Sequence, residues 1–318
     1  MSDSPLLLVL SNVNDPQLGM LSGLPHVIAW NAEQAARAAH EAQVILHWSG
    51  PRDLVRAALL ANPQIRWIHS KWAGLDSLLF PELVESPVPL TNGSGVFSQS
   101  LGEFALSMIL YFAKDFPRML RNKAAHRWEE FDVDEIACQT VGIVGYGDIG
   151  RAVARRAHAM DMKVLALKRH PPVAHDKLID AYYKPAELHT MLGKCDYIAV
   201  CAPLTRETRH MISDAEFAAM KSSAVIINVG RGPVIDQEAL IRALQQNKIR
   251  GAGLDVFEHE PIQKDDPIWA FENVFISPHA ADHTRDWLDQ AMRFFLRQYD
   301  RFRAGQPLEN IVDKHLGY

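Results

Sequence analysis

Cysteine is scarce in this sequence, and the three present, Cys138, Cys195 and Cys201, fall into no CxxC or Cys/His spacing. That excludes a disulfide framework and the usual zinc patterns, and the reading is of reduced thiols with no metal site. Long apolar runs are lacking as well. No stretch approaches a membrane span, and Leu6 to Leu10 is too short for a signal-peptide core and has no basic flank, so it reads as a first strand. Nor is there a block of one charge. The formal net charge is -5, with acids and bases mixed along the chain, which gives no footprint for nucleic acid or a lipid surface. The expectation is a cytoplasmic protein that takes a small, anionic ligand.

What is present is enough for two cores: 318 residues, 48% of them hydrophobic. Short β-rich runs, "LLLVL", "HVIAW", "QVILHW" and "IRWIHS", alternate with Ala- and Leu-rich segments, the rhythm of a parallel α/β sheet. Turn residues cluster from Pro87 to Gly95, and a helix is predicted from Ser98 to near Pro117. Leu101, Phe104, Ala105, Met108, Ile109 and Phe112 make its apolar stripe. A second series, "TVGIVG", "KVLALK", "CDYIAVCAP", "SAVIINVG", "GAGLDVF" and "NVFISPH", gives six strand candidates for a doubly wound sheet. From about Asp286 a long helical pattern and "NIVDKHLGY" follow with no strand partner nearby, and are read as returning to the first domain.

Between the first two strands of that second series lies "GYGDIG". Gly145, Gly147 and Gly150 follow an apolar strand and open a helical run, the context in which three glycines allow a tight turn, backbone approach to a pyrophosphate, and close helix–strand packing. The next strand then ends on Lys168 and Arg169, where an NAD-binding chain usually carries an acid for the ribose. Two readings stay open here. The pair is a solvated loop tip, or it faces the 2′-phosphate that distinguishes NADP from NAD.

Ligands of open α/β sheets bind past the carboxyl ends of strands. Arg231 in "VIINVGRG", Glu260 in "GLDVFEHEP" and His279 in "VFISPH" stand at or shortly after such ends. A cation to hold a carboxylate, a histidine to exchange a proton and an acid to orient it are what reduction of a 2-oxo acid requires. Taken singly, each is an ordinary surface residue; the set is what carries weight.

The segments "GYGDIG", "PLTRETRHMI", "INVGRGPVID", "LDVFEHEP", "ISPHAA" and "NIVDKHLGY" resemble the D-isomer-specific 2-hydroxyacid dehydrogenase family over nearly the whole chain. The resemblance implies two doubly wound parallel-sheet domains. One is a flavodoxin-like substrate domain from residues 1–97 and 286–318; the other is an inserted Rossmann cofactor domain, 98–285. It implies Arg231 as the substrate-binding arginine, Glu260 as the acid beside the histidine and His279 as proton donor. Trp72, Ala73 and Gly74 in "SKWAGLD" match the loop that receives the substrate carboxylate. Asp255 matches the residue that holds the nicotinamide carboxamide. Gly145, Gly147, Asp148, Ile149, Gly150, Lys168, Arg169, Cys201, Pro203, Thr208, Val229 and Ala281 are expected to contact the cofactor, NADP(H) by preference, with NAD(H) possible. A homodimer is implied, with the stripe of the helix from Ser98 suited to the interface, although a helix buried within its domain would look the same.

The activity expected is NADPH-preferring reduction of a small 2-oxo acid to a D-2-hydroxy acid, glyoxylate or hydroxypyruvate first. One rival is an NAD-dependent dehydrogenase of bulkier acids, with Trp48, Trp72 and Trp287 as an aromatic wall. Another is a non-catalytic NAD(H)-sensing protein like the corepressors that resemble this family. Formate dehydrogenase is disfavoured, because Glu260 stands where that relative carries an amide. The chain also stops after "HLGY", without the regulatory extension of some phosphoglycerate dehydrogenases.

Overall fold

The computed structural model describes residues 6–170 and 176–318, and these divide into two compact units: residues up to Phe97 together with Arg285–Tyr318, and Ser98–Thr284. No described helix is long and apolar enough to cross a membrane.

The first unit runs β1 (Leu7–Leu10), β2 (His26–Ala29), α1 (Ala32–Ala39), β3 (Val44–His47), α2 (Arg52–Ala61), β4 (Trp67–Ser70), α3 (Pro81–Glu85) and β5 (Leu90–Thr91). Its sheet is parallel throughout, in the order β2-β1-β3-β4-β5. Strands β1, β3 and β4 are buried at every residue, which is why they read as continuous apolar runs rather than alternating ones. Strand β5 lies inside the segment expected to be turns. Its two residues are both buried, but two residues are too few to show a period.

The second unit contains α4 (Ser98–Ala113), α5 (Phe116–Ala124), β6 (Thr140–Val144), α6 (Asp148–Ala159), β7 (Lys163–Leu167), β8 (Ala181–Tyr183), α7 (Leu188–Leu192), β9 (Tyr197–Val200), α8 (Asp214–Ala219), β10 (Val225–Asn228), α9 (Gln237–Gln245), β11 (Gly251–Leu254) and β12 (Val274–Ile276). Seven parallel strands lie in the order β12-β11-β10-β9-β6-β7-β8. Six were expected. The seventh, β8, is the three-residue edge "AYY", half exposed and without an apolar run.

The helix predicted to reach Pro117 is two helices. α4 ends at Ala113, and Pro117 sits in the first turn of α5, where a missing N–H costs nothing. The α4 stripe is not an outward face: Leu101, Ala105, Met108, Ile109 and Phe112 are buried, and α4 packs on α6 and across β10 and β11. The unit's own core uses the stripe, so it is not available as an interface.

In the first unit the chain end closes an edge. The final helix, α10 (Trp287–Arg303), stacks Phe295 on Trp67, with centroids 5.6 Å apart. Beyond it Ile311 bridges Thr91, and the Val312 amide donates to Leu90 at 2.9 Å, so β5 is not left as an open sheet edge.

Candidate active site

Register sets the site. In the second unit Val144 lies beside Leu167 and Val200, Asn228 beside Val200 and Leu254, and Leu254 beside Ile276. The residues that follow, Gly145, Lys168, Cys201, Val229, Asp255 and Ser277, therefore emerge along one edge of the sheet. The strand order reverses between β6 and β9, the place where such sheets hold ligands.

The three glycines differ in what surrounds them. Gly145 has φ +96°, and a Cβ there would lie 2.6 Å from the backbone of Ala202, so only glycine fits the turn. At Gly150 a Cβ would meet the Gly145 carbonyl at 2.4 Å, which lets α6 start close against β6. At Gly147 an added Cβ would meet nothing within 4 Å. That open backbone, at the N-terminus of the twelve-residue α6 and without a side-chain cap, suits a pyrophosphate.

At the far end of the cradle Lys168 extends its ammonium over the Tyr146 ring, 5.8 Å from the centroid. Tyr146 donates its hydroxyl to Asp176 at 2.8 Å, and Arg151 pairs with the same carboxylate at 3.3 Å. Arg169 and Glu207 lie 3.8 Å apart with both side chains well exposed, a pair of little strength. Beyond β9, Thr208 turns its hydroxyl inward. It donates to the Pro203 carbonyl at 2.6 Å and accepts from the Thr205 amide at 2.7 Å, so it braces the loop from within. Burial raises the Cys201 thiol to about 12, which keeps it neutral.

Arg231, Glu260, His279 and Asp255 come together. Asn228, almost fully buried, folds the turn after β10: its side chain accepts from the Gly230 amide and donates to the Arg231 carbonyl, each at 3.1 Å. Gly232 then passes so near the next loop that a Cβ would lie 1.8 Å from the Phe257 carbonyl. This contact brings Arg231 beside the segment that carries Glu260. Asp255 is 1% exposed, and one carboxylate oxygen accepts from the Ser277 hydroxyl at 2.6 Å and from the Ala280 and Ala281 amides at 3.0 Å each. The His279 amide donates to the Asp255 carbonyl at 2.9 Å, and His279 itself sits at φ +55°. Four bonds to Asp255 thus hold a histidine in a backbone conformation it rarely adopts.

His279 Nδ1 lies 2.7 Å from Glu260 Oε2, while Glu260 Oε1 accepts from the Phe257 amide at 2.8 Å. The hydrogen bond to Glu260 lifts the His279 pKa above its ordinary value, against burial and the opposing charge of Arg231. Burial would raise Glu260, but the bonds from His279 and the Phe257 amide outweigh it and hold the carboxyl low. The pair is a carboxylate held low beside an imidazole held high, joined through Nδ1.

Trp72, Ala73 and Gly74 belong to the first unit, just past β4. The Trp72 amide donates to Ser70 Oγ at 3.3 Å, whereas among the described residues the Ala73 and Gly74 amides have no acceptor in the chain. Two neighbouring amides without an acceptor in the described chain are donors of the kind that anions take. Trp48, Trp72 and Trp287 do lie together, though around a residue the sequence reading overlooked, Lys71.

Residues 106–281 match the family model described as D-isomer specific 2-hydroxyacid dehydrogenase, NAD binding domain. The chain is 36% identical over 272 residues to glyoxylate/hydroxypyruvate reductase B of Klebsiella pneumoniae, covering 82% of this chain and 80% of that one. It is 32% identical over 265 residues to glyoxylate reductase of Korarchaeum cryptofilum, covering 80% and 78%. Among solved structures it is similar to a D-isomer specific 2-hydroxyacid dehydrogenase from Xanthobacter autotrophicus in complex with NADPH and MES. The TM-score there is 0.84 and the identity 29%, over 99% of this chain and 100% of that one.

Proposed function

The chain belongs to the D-isomer specific 2-hydroxyacid dehydrogenase family, and from that premise we propose that it reduces small 2-oxo acids to D-2-hydroxy acids with NADPH. Glyoxylate and hydroxypyruvate, the substrates named for its relatives, are the first candidates. The observation that carries the reading is the 2.7 Å pairing of His279 with Glu260, beside Arg231 and on the same sheet edge as the glycine cradle.

The open backbone at Gly147 and the start of α6 would hold the pyrophosphate, with Asp148 and Ile149 in the first turn. Lys168 and Arg169 would face a 2′-phosphate, and Cys201, Pro203, Val229, Asp255 and Ala281 would line the rest. Thr208 supports its loop from behind. Bound there, NADPH supplies the hydride. His279 holds a proton on Nε2 for the carbonyl oxygen, and Glu260 stabilises the imidazolium until the proton leaves. Arg231 offers a planar fork to carboxylate and carbonyl oxygens together. In the first unit, the Ala73 and Gly74 amides are donors of the kind a carboxylate takes. The first unit is then the substrate domain and the second the cofactor domain.

A homodimer is part of the proposal. Its support moves from α4 to α5, whose Phe116, Met119 and Leu120 are exposed, and to Trp128, 94% exposed just beyond. The test of the function is steady-state NADPH oxidation against a panel of 2-oxo acids. Sustained turnover with D-2-hydroxy acid as product is expected, and the absence of turnover with every member would leave a cofactor-binding protein without this activity.

A further inference from the structure

Lysine is the residue least often buried without a partner, yet Lys71 is 4% exposed. It follows β4 directly and precedes the vacant amides of Ala73 and Gly74. Its ammonium stands 4.4 Å from the ring centroid of Trp48, 4.5 Å from that of Trp72 and 5.2 Å from that of Trp287. Trp72 and Trp287 pack on each other at 5.7 Å, and Trp48 is fully buried. Among the described residues Lys71 donates no side-chain hydrogen bond and touches no carboxylate. Asp15 favours its charge from a distance, but that carboxylate accepts from Trp48 Nε1 at 2.7 Å; burial, with the Lys71 charge beside it, lowers the His47 imidazole. Burial brings the ammonium down to about 8.

Three ring faces attract a cation without neutralising it. The charge is largely desolvated, and among the described residues no carboxylate pairs with it. The surrounding backbone is fixed. Gly93 packs so closely that a Cβ would lie 2.2 Å from the Lys71 carbonyl, its amide donates to Trp72 at 3.1 Å, and Asn92 donates to the Ala73 carbonyl at 2.6 Å. The loop therefore offers two separate sets of donors to negative charge, a pair of amides and an ammonium. On the proposed reaction, the amides would take the carboxylate common to every 2-oxo acid.

We infer that Lys71 is a specificity-determining residue that receives a second acidic group of the substrate, so that 2-oxo diacids are favoured over 2-oxo monoacids of equal length. The inference rests on the proposed 2-oxo acid reduction and names its substrate class. Tryptophan walls suit the methylene spacer between the acids, and lysine suits the far one, being a point charge on a flexible stem.

The test compares kcat/KM for 2-oxoglutarate with 2-oxovalerate, and for oxaloacetate with 2-oxobutyrate, in wild type and Lys71→Met, which keeps an unbranched stem among the rings. The wild type should favour a diacid in at least one pair, and the diacid-to-monoacid ratio should fall about 10- to 150-fold in the variant, the range of one charge-assisted hydrogen bond. A ratio that survives the substitution, even if both rates drop together, overturns the inference and leaves Lys71 a packing residue. So does a wild type with no diacid preference. A second arm needs no turnover: malonate should raise the Tm of the wild-type protein more than acetate does, and Lys71→Met should erase the difference. Inactivity toward every 2-oxo acid alongside Lys71-dependent malonate binding would sink the proposed reaction and keep the anion site. Turnover without Lys71 dependence would do the reverse.

Discussion

Both units are parallel sheets whose strands end in polar loops, yet the two edges are built by opposite means. Around His279, in the second unit, the polar groups already have partners. Asp255 takes four bonds, Glu260 uses both oxygens and Asn228 closes its own turn. In the first unit the corresponding loop is held by its neighbours, while among the described residues the Ala73 and Gly74 amides and the Lys71 ammonium face no acceptor. The surroundings of His279 are preorganised by internal bonds, while the loop after β4 keeps its donors free of partners among the described residues. A reacting centre needs its acid and base fixed before substrate arrives, whereas a recognition site needs unsatisfied donors.

The largest test of this contrast removes the histidine at the centre of those internal bonds. His279→Ala should fold and bind cofactor but lose about 10²- to 10⁴-fold in kcat, the contribution of a placed general acid. Near-normal turnover would show that the pairing with Glu260 is structural.

Next in size is a pair of glycines. Gly232→Ala forces a Cβ into the Phe257 carbonyl and should cost about 1–3 kcal/mol, several degrees of Tm, because two backbones must part. Gly147→Ala has open space and should melt with the wild type, yet bind NADP(H) more weakly, since the added methyl occupies the pyrophosphate path. Equal Tm losses in both would erase the distinction between packed and open cradle.

Smallest in rate but sharpest in sign is Glu260→Gln. Because the bond to Glu260 raises the His279 pKa, the proton donor persists to higher pH in the wild type, and kcat/KM for reduction should fall only as pH passes that raised value. The amide should move this alkaline limb to lower pH. A limb left in place would assign it to another group; Lys71, which burial brings to about 8, is the first to check.

The same contrast explains what could be read without a structure. Gly145 and Gly150 were legible because the backbone around them excludes a side chain, and Gly147 by its spacing between them. Strand ends were legible because buried parallel strands are unbroken apolar runs, and the polar residue after each run marks the edge. Strands β5 and β8 were not, since two or three residues show no period. The α4 stripe was visible, but a periodicity does not say what covers it, and here the cover is α6 and the sheet. Thr208 was found as a position while its hydroxyl direction was hidden. Lys71 left no signal because a lysine in a sequence reads as solvated, and three tryptophans distant in the chain gather around it only when β3, β4 and α10 have packed.

The measurement closest to the central claim is kcat/KM with NADPH and with NADH, for glyoxylate and hydroxypyruvate at low ionic strength, in wild type and Lys168→Asp. If this edge of the second unit is a reductase site with a cationic rim, wild type turns over both acids and favours NADPH by about 10-fold or more, as one charge-assisted bond to the 2′-phosphate supplies. The aspartate variant then favours NADH, because its carboxylate repels that phosphate and accepts from a free ribose hydroxyl. Turnover with NADH equal to or faster than with NADPH in wild type would contradict the claim, and would leave Lys168 and Arg169 a solvated loop tip.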